Sequence, residues 1–371
     1  MATRSNLESD RRDGAPERDM PDELHPRHLA VRVAQVSAII ALVAIAVTAL
    51  PGLGEVRTRL AGTEPVWIAA VIVAEIGSCA GYLLVFRSTF CPRMSWRLSY
   101  DIAMAELAAN SLLPSGGAGG LALGVWALHK AGMATEHIAR RTVAFFLLTS
   151  APNFAAVVVV GLGMFVGILP GDASAVLTLV PAMIAATVIV LVGLSPSLLR
   201  KFGRPLARED DGWSGRVRQE IRRWLVAAAD GVDLAKSFLR AHSFGVVGGS
   251  FAYMAFDIAA LGFAFAAIGP VPSFGALVLG YLIGQLGNLV PVPGGIGGTE
   301  GALVGTFALY HVDVSLAAAA VLIYRLFQLI IPALLGAPAF VMLRRKLMRV
   351  DQPAIVCAPL AAEAAQLPAR S

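Results

Sequence analysis

Long apolar stretches alternate along the chain with short polar joints. Six stretches, residues 30–50, 65–87, 140–168, 173–194, 243–268 and 315–343, reach the roughly twenty residues that an α-helix needs to cross a ~30 Å hydrocarbon core. Two other apolar regions, 98–130 and 273–310, are built differently. Each divides into two segments of roughly fifteen to nineteen residues, marginal or too short to span, around a run of glycine and proline. Backbone exposed by such a break must be buried in protein or line a cavity, so each region is expected to dip into the membrane and return as a re-entrant hairpin, with the break at its tip. The flanks are polar: residues 1–26 mix Arg, Asp, Glu and Pro, and 346–371 are rich in Ala and Pro. Both read as disordered tails around a membrane domain at 27–345.

The two breaks share one pattern. NSLLPSGGAGG begins at Asn110 and NLVPVPGGIGG at Asn288, 178 residues later; each reads Asn, five residues, then GGxGG. The prolines stop the helix, and the glycines permit a reversal or close approach that a side chain would block. Interrupted hydrophobic segments at matching places in two halves are the mark of an inverted repeat. Two unrelated helix breaks would also contain Gly and Pro, but would not align Asn and four glycines without a gap; Pro152 and Pro332 fall only two residues off the same offset. The halves would run over about 65–194 and 243–343, joined by 195–240. Within the joint, Val217, Ile221, Trp224, Leu225, Ala228, Val232 and Leu239 recur at helical spacing with Arg218, Arg222 and Arg223 elsewhere on the wheel. Such a helix would lie on the cytoplasmic leaflet or form an ordinary solvated connector.

Composition settles the class. At 371 residues, 57% hydrophobic, 15% charged and mean hydropathy +0.70, this is no soluble globular chain but an all-α polytopic membrane protein, with about six transmembrane helices and two re-entrant hairpins. The net charge of +5 is carried by loops: Arg87, Arg93 and Arg97, then Lys130, Arg140 and Arg141, then 195–240 and the segment after Arg344 fall on one side. The other side receives 51–64 and the turns near Gly171, Pro270 and Tyr310 to Asp313. That bias predicts two cytoplasmic termini. No aromatic-interleaved basic patch points to nucleic acid. Cys79, Cys91 and Cys357 suggest three free thiols and no metal-ligand spacing. The first apolar stretch is longer than a signal-peptide core and is expected to stay as an anchor.

Ionisable residues inside spans are expensive and mark functional candidates: here Glu75, Asp101, Glu106, Asp257, Glu300 and Arg325. Asp101 lies near a membrane edge and could be solvated; Glu75 and Asp257 could equally be structural. Glu300 follows the second GGxGG in the first turn of the outgoing half-helix, where a carboxylate suits the dipole and can cap amides. Arg325, beside Tyr324 in mid-span, needs an anion: Glu300, Glu106 or a bound phosphate. The expected binding site therefore comprises Asn110, Gly116, Gly117, Asn288, Pro293, Gly294, Gly295, Gly297, Glu300, Tyr324 and Arg325, with half-helix N-termini directed at the ligand. No catalytic, metal or cofactor motif is present, so neither enzyme activity nor a cofactor is expected.

The run VPVPGGIGGTEGAL, followed by an Ala-rich helix with Tyr324-Arg325, Pro332 and Gly336, resembles the flippase-like membrane domain of the lysylphosphatidylglycerol synthases over about residues 30–345. The resemblance implies a polytopic domain that moves or handles polar lipids. Two departures stand out. Relatives often carry an acid just after the first motif's glycines, where this chain has Ala122, and the synthases continue into a cytoplasmic aminoacyl-transferase domain that this sequence does not contain. Synthesis of lysylphosphatidylglycerol is therefore not expected. The leading expectation is a flippase-like transporter of a phospholipid or polyprenyl-linked lipid with an anionic head group. The alternative is a non-transporting membrane subunit that recruits a lipid- or polyprenyl-modifying enzyme through 195–240.

Overall fold

Helices account for nearly everything in the computed structural model, which describes residues 54–112, 118–171, 174–202, 213–241, 243–289 and 297–347. In chain order the α-helices are α1 (Gly54–Ala61), α2 (Pro65–Phe90), α3 (Trp96–Leu112), α4 (Ala118–Lys130), α5 (Thr135–Phe165), α6 (Ala175–Phe202), α7 (Trp213–Arg240), α8 (Phe244–Ala266), α9 (Phe274–Gly284), α10 (Gly298–Leu309) and α11 (Val314–Leu347). Five are long and apolar enough to cross a membrane: α2, α5, residues Ala175–Ser197 of α6, α8 and α11. They match five of the six expected spans; the sixth, 30–50, lies outside the described residues, as do both tails. These helices are apolar on every side because one face packs on protein and the other faces lipid. Along α6, for example, Val176, Val180, Met183, Ile184, Val190 and Leu191 are all exposed.

The two halves meet along α2 and α8, and glycine makes that contact possible. A β-carbon at Gly81 would lie 2.5 Å from the backbone nitrogen of Tyr253, and one at Gly249 would lie 2.8 Å from that of Val85. Gly77 faces the Phe256 ring and Gly245 the Ser88 hydroxyl, so partners rise along one helix as they fall along the other: the pair is antiparallel. Close backbone approach through small residues is how helices associate where lipid removes the hydrophobic drive.

The interrupted regions each form an antiparallel helical hairpin. In the first, Gly120 donates its N–H to the Asn110 Oδ1 at 3.0 Å, and Gly124 packs on the Glu106 carboxyl. In the second, Gly280 faces Phe307, Gly284 faces Leu303 and Gly287 faces Ala302 and Thr299. A 3-10 turn, Gln285–Leu289, tightens the end of α9 before the tip. The tips, 113–117 and 290–296, lie outside the described residues. One expectation changes here: Gly119 and Gly120 are not part of the break but already sit in α4, and Gly120 is required for space, since a β-carbon there would come within 2.2 Å of Asn110 Oδ1.

Contacts sort the joints into two ends of the bundle. At one end Arg59 pairs with Asp313 at 3.2 Å, Glu64 N–H donates to the Ala267 carbonyl at 3.0 Å, Gly275 packs on Met164, and the Tyr310 hydroxyl donates to the Leu177 carbonyl. At the other, Arg141 donates to the Thr89 and Phe90 carbonyls, the Arg87 guanidinium stacks 4.3 Å over the Trp96 ring, and Lys346 pairs with Asp101. Both ends of the α3–α4 hairpin fall at the second of these, and both ends of α9–α10 at the first. Asp101 is therefore buried and neutralised rather than solvated. Helix α7 closes the basic end: Ala229, Val232 and Ala235 are buried, Gly231 packs on Val143, and Lys236 reaches the Gly193 carbonyl. Its apolar face is thus used at least in part on protein rather than lipid; its side chains before Leu225 are outside the description. Cys79 is buried and free, as expected of it.

Candidate functional site

A polar cluster lies where α8, α9, α10 and α11 converge. Arg325 is the twelfth residue of α11, about 17 Å along its axis from Val314, which is close to halfway through a ~30 Å hydrocarbon core. Its Nε donates to Glu300 Oε1 at 2.8 Å and its Nη1 to Gln328 Oε1 at 2.5 Å. Nη2 has no partner among the described residues, and both side chains of the ion pair are largely covered, 13% and 17% exposed.

Glu300 is positioned by the glycine before it. Gly297 has φ +102°, a left-handed conformation that glycine reaches without strain, and α10 starts at the next residue. Three residues on, Glu300 Oε2 accepts the Gly297 N–H at 2.6 Å. One carboxylate thus does both jobs foreseen for it: Oε2 caps a helix start, worth up to about 1 kcal/mol for an acid at this dipole end, and Oε1 holds the arginine. Of the two side chains foreseen as partners for Arg325, Glu300 is the one it meets. Glu106 lies elsewhere, in the first hairpin beside Gly124.

Behind the pair stands Asp257, 6% exposed on α8. It accepts from the Tyr281 hydroxyl, from the Tyr324 hydroxyl at 3.0 Å and from Gln328 Nε2 at 3.4 Å. Gln285 Nε2 also donates to the Tyr324 oxygen at 3.3 Å, and the Tyr281 and Tyr324 rings meet edge to face at 6.2 Å. Gln328, bonded to both Arg325 and Asp257, ties the two charges into one network. Tyr324 is fully buried.

Among the expected site residues, Glu300, Tyr324, Arg325 and Gly297 come together. Asn110 stands in the closure of the first hairpin, bonded to Gly120. Asn288 is on the 3-10 turn after α9, its side chain outside the description. Gly116, Gly117, Pro293, Gly294 and Gly295 lie in the tips, outside the described residues. Tyr281, Gln285 and Gln328 carry the network without having been singled out. Gln328 had a signal, since it stands one helical turn after Arg325. Among the described residues no group of His, Cys, Asp and Glu could hold a metal ion.

No curated protein matches the chain. The model of the lysylphosphatidylglycerol synthase TM region, however, matches residues 33–336, most of the sequence and every residue of the polar cluster. With a multi-pass helical bundle and the paired Glu300 and Arg325 around it, the chain belongs to the lysylphosphatidylglycerol synthase transmembrane-region family.

Proposed function

We propose that the protein is a flippase-like lipid transporter of the bacterial inner membrane, both termini cytoplasmic, which takes an anionic or lipid-linked head group into a midplane site around Arg325. The observation that carries this reading is the incompletely used guanidinium: Nε and Nη1 are bonded, Nη2 has no partner among the described residues, and the group sits at mid-span. A guanidinium offers a phosphate two parallel donors, which no ammonium can reproduce. The outer ends of the α3–α4 and α9–α10 hairpins fall at opposite ends of the bundle, the arrangement of an inverted repeat, on which alternating access would rest. The substrate is a phospholipid or a polyprenyl-linked lipid.

The test is translocation of fluorescent phosphatidylglycerol in proteoliposomes, read by quenching of outer-leaflet fluorophore. Wild-type protein should accelerate it, and Arg325→Lys should keep the fold but lose at least about tenfold in rate, as one lost bidentate contact of ~1.4 kcal/mol or more implies. A rate equal to wild type in Arg325→Lys, at equal protein content, counts against Arg325 as the head-group ligand.

Topology has its own test. In a cysteine-free background, cysteines at Ser174 and Val314 should react with an impermeant maleimide on intact cells, and those at Lys130 and Arg240 only after permeabilisation. Labelling of Val314 and Lys130 from the same side would end the inverted-hairpin reading.

The alternative, a subunit that recruits a lipid-modifying enzyme, draws on α7, where Val226 and Leu239 stay exposed on a helix otherwise docked to the bundle. A lipid-modifying activity that co-purifies with wild type and is lost with Val226→Ser/Leu239→Ser, in protein that moves no lipid, would favour it.

A further inference from the structure

Two buried carboxyls, Glu75 and Glu106, have an oxygen without a hydrogen-bond partner and no ion pair among the described residues, and Glu75 is the one beside a second acid. Glu75, on α2, is 2% exposed, and its Oε1 has no hydrogen-bond partner. The antiparallel register of α2 on α8, fixed by Gly77 against Phe256 and Gly81 against Tyr253, sets Glu75 level with Asp257. The two carboxyls and Arg325 lie within Coulombic reach of one another. Asp257 has Tyr281, Tyr324 and Gln328 as donors, and the hydrogen bonds of Arg325 go to Glu300 and Gln328; among the described residues none reaches Glu75 Oε1.

Among the described residues, the charged and titratable groups around Glu75 come from its own helix and from α8 and α11. Cys79 is on its own helix; Tyr253 and Asp257 come from α8, and Tyr324 and Arg325 from α11. Tyr281 of α9 and Glu300 of α10 act through Asp257 and Arg325, and Glu106 of α3 acts on Tyr253 from its far side. Against one guanidinium stand three carboxyls. Where water is excluded, two like charges this close are not carried together, and a carboxyl pair in such a place titrates as a unit. An intramembrane acid without a fixed partner is also where proton relays are built.

We propose that Glu75 and Asp257 form a proton-exchange site inside the membrane-spanning bundle, with Glu75 taking up and releasing the proton. The step is a transfer only: an O–H bond forms on Glu75 as one breaks on hydronium, and reverses on release. The site goes beyond lipid handling and would supply the coupling ion if transport is driven.

Infrared difference spectra of the full chain in nanodiscs, recorded between acidic and alkaline pH, report the carbonyl stretch of protonated carboxyl groups. Wild type should show a titrating band from which Glu75→Gln removes one component, while Glu106→Gln leaves that component in place. An indicator dye should record about one proton fewer taken up per molecule in Glu75→Gln. Glutamine has the shape of a protonated glutamate, so this variant is expected to fold; Asp257→Asn, which should shift the same component, is the second variant. Helicity and a monodisperse elution profile check both. Absence of a titrating carboxyl band in wild type, or its survival unchanged in folded Glu75→Gln, overturns the proposal. Neither measurement depends on lipid movement, so a failed translocation assay would reject the transporter reading without touching this one.

Discussion

Arg325→Ala should lower the stability of the folded protein by about 3 kcal/mol, because it strands a covered carboxylate. Glu300 is 17% exposed at its side chain, so without Arg325 its Oε1 would recover only a small part of the solvation a carboxylate has in water. Oε2 keeps its bond to the Gly297 amide, so the helix start survives while half of the carboxylate loses its partner. Adding Glu300→Gln removes the stranded charge but preserves an acceptor for Gly297. The double variant should therefore be more stable than Arg325→Ala alone, with a coupling of about 1 to 3 kcal/mol in the cycle. Thermal unfolding in lipid nanodiscs provides the measurement. Additive losses would show that the two side chains do not act as a pair.

A second large effect is expected at Gly336 on α11. A β-carbon there would lie 2.2 Å from the Met104 carbonyl oxygen and 2.5 Å from the Ala108 β-carbon, so even alanine forces α3 off α11. The nearest obstacle is main chain and has no rotamer to change. Gly336→Ala should cost about 3 kcal/mol, the upper end of the usual range for overpacking. Gly305, also inside a helix, has nothing within 4 Å of the same position. Gly305→Ala should be neutral or stabilise by up to about 1 kcal/mol, since alanine is the better helix former. Equal melting temperatures for the two variants would mean that α3 and α11 are not in backbone contact.

These two sites differ in how far they could be read from the chain. An arginine in mid-span must find an anion, and Glu300 follows a glycine break one helix earlier; burial cost and capping chemistry are local arguments, and they put Glu300 among the candidates beside Glu106 and a bound phosphate. The spans followed from length and hydropathy, and the hairpins from segments too short to cross. Asp257 was visible as a costly charge, but its donors were not. Tyr281 sits in an apolar helix where nothing in the sequence says which face turns inward or which helix lies opposite, and Gln328 is marked only by standing one helical turn after Arg325. Asp101 looked like an edge residue because Lys346, its partner, is 245 positions away. Glycine spacing held more than was taken from it: Gly77 and Gly81, and Gly245 and Gly249, are each four apart, the small-residue interval that brings helices to backbone distance.

That interval has a mechanical consequence. Side chains between helices act as compliant spacers, since they change rotamer and let one cylinder slide over another. Between α2 and α8 the spacers are missing at Gly81 and Gly249, where main chain rests on main chain. The contact therefore behaves as a stiff spine. The transport reading would then leave relative motion to the elements around that contact, the hairpins and α11, with the level of Glu75 and Asp257, on the spine itself, as its fixed part.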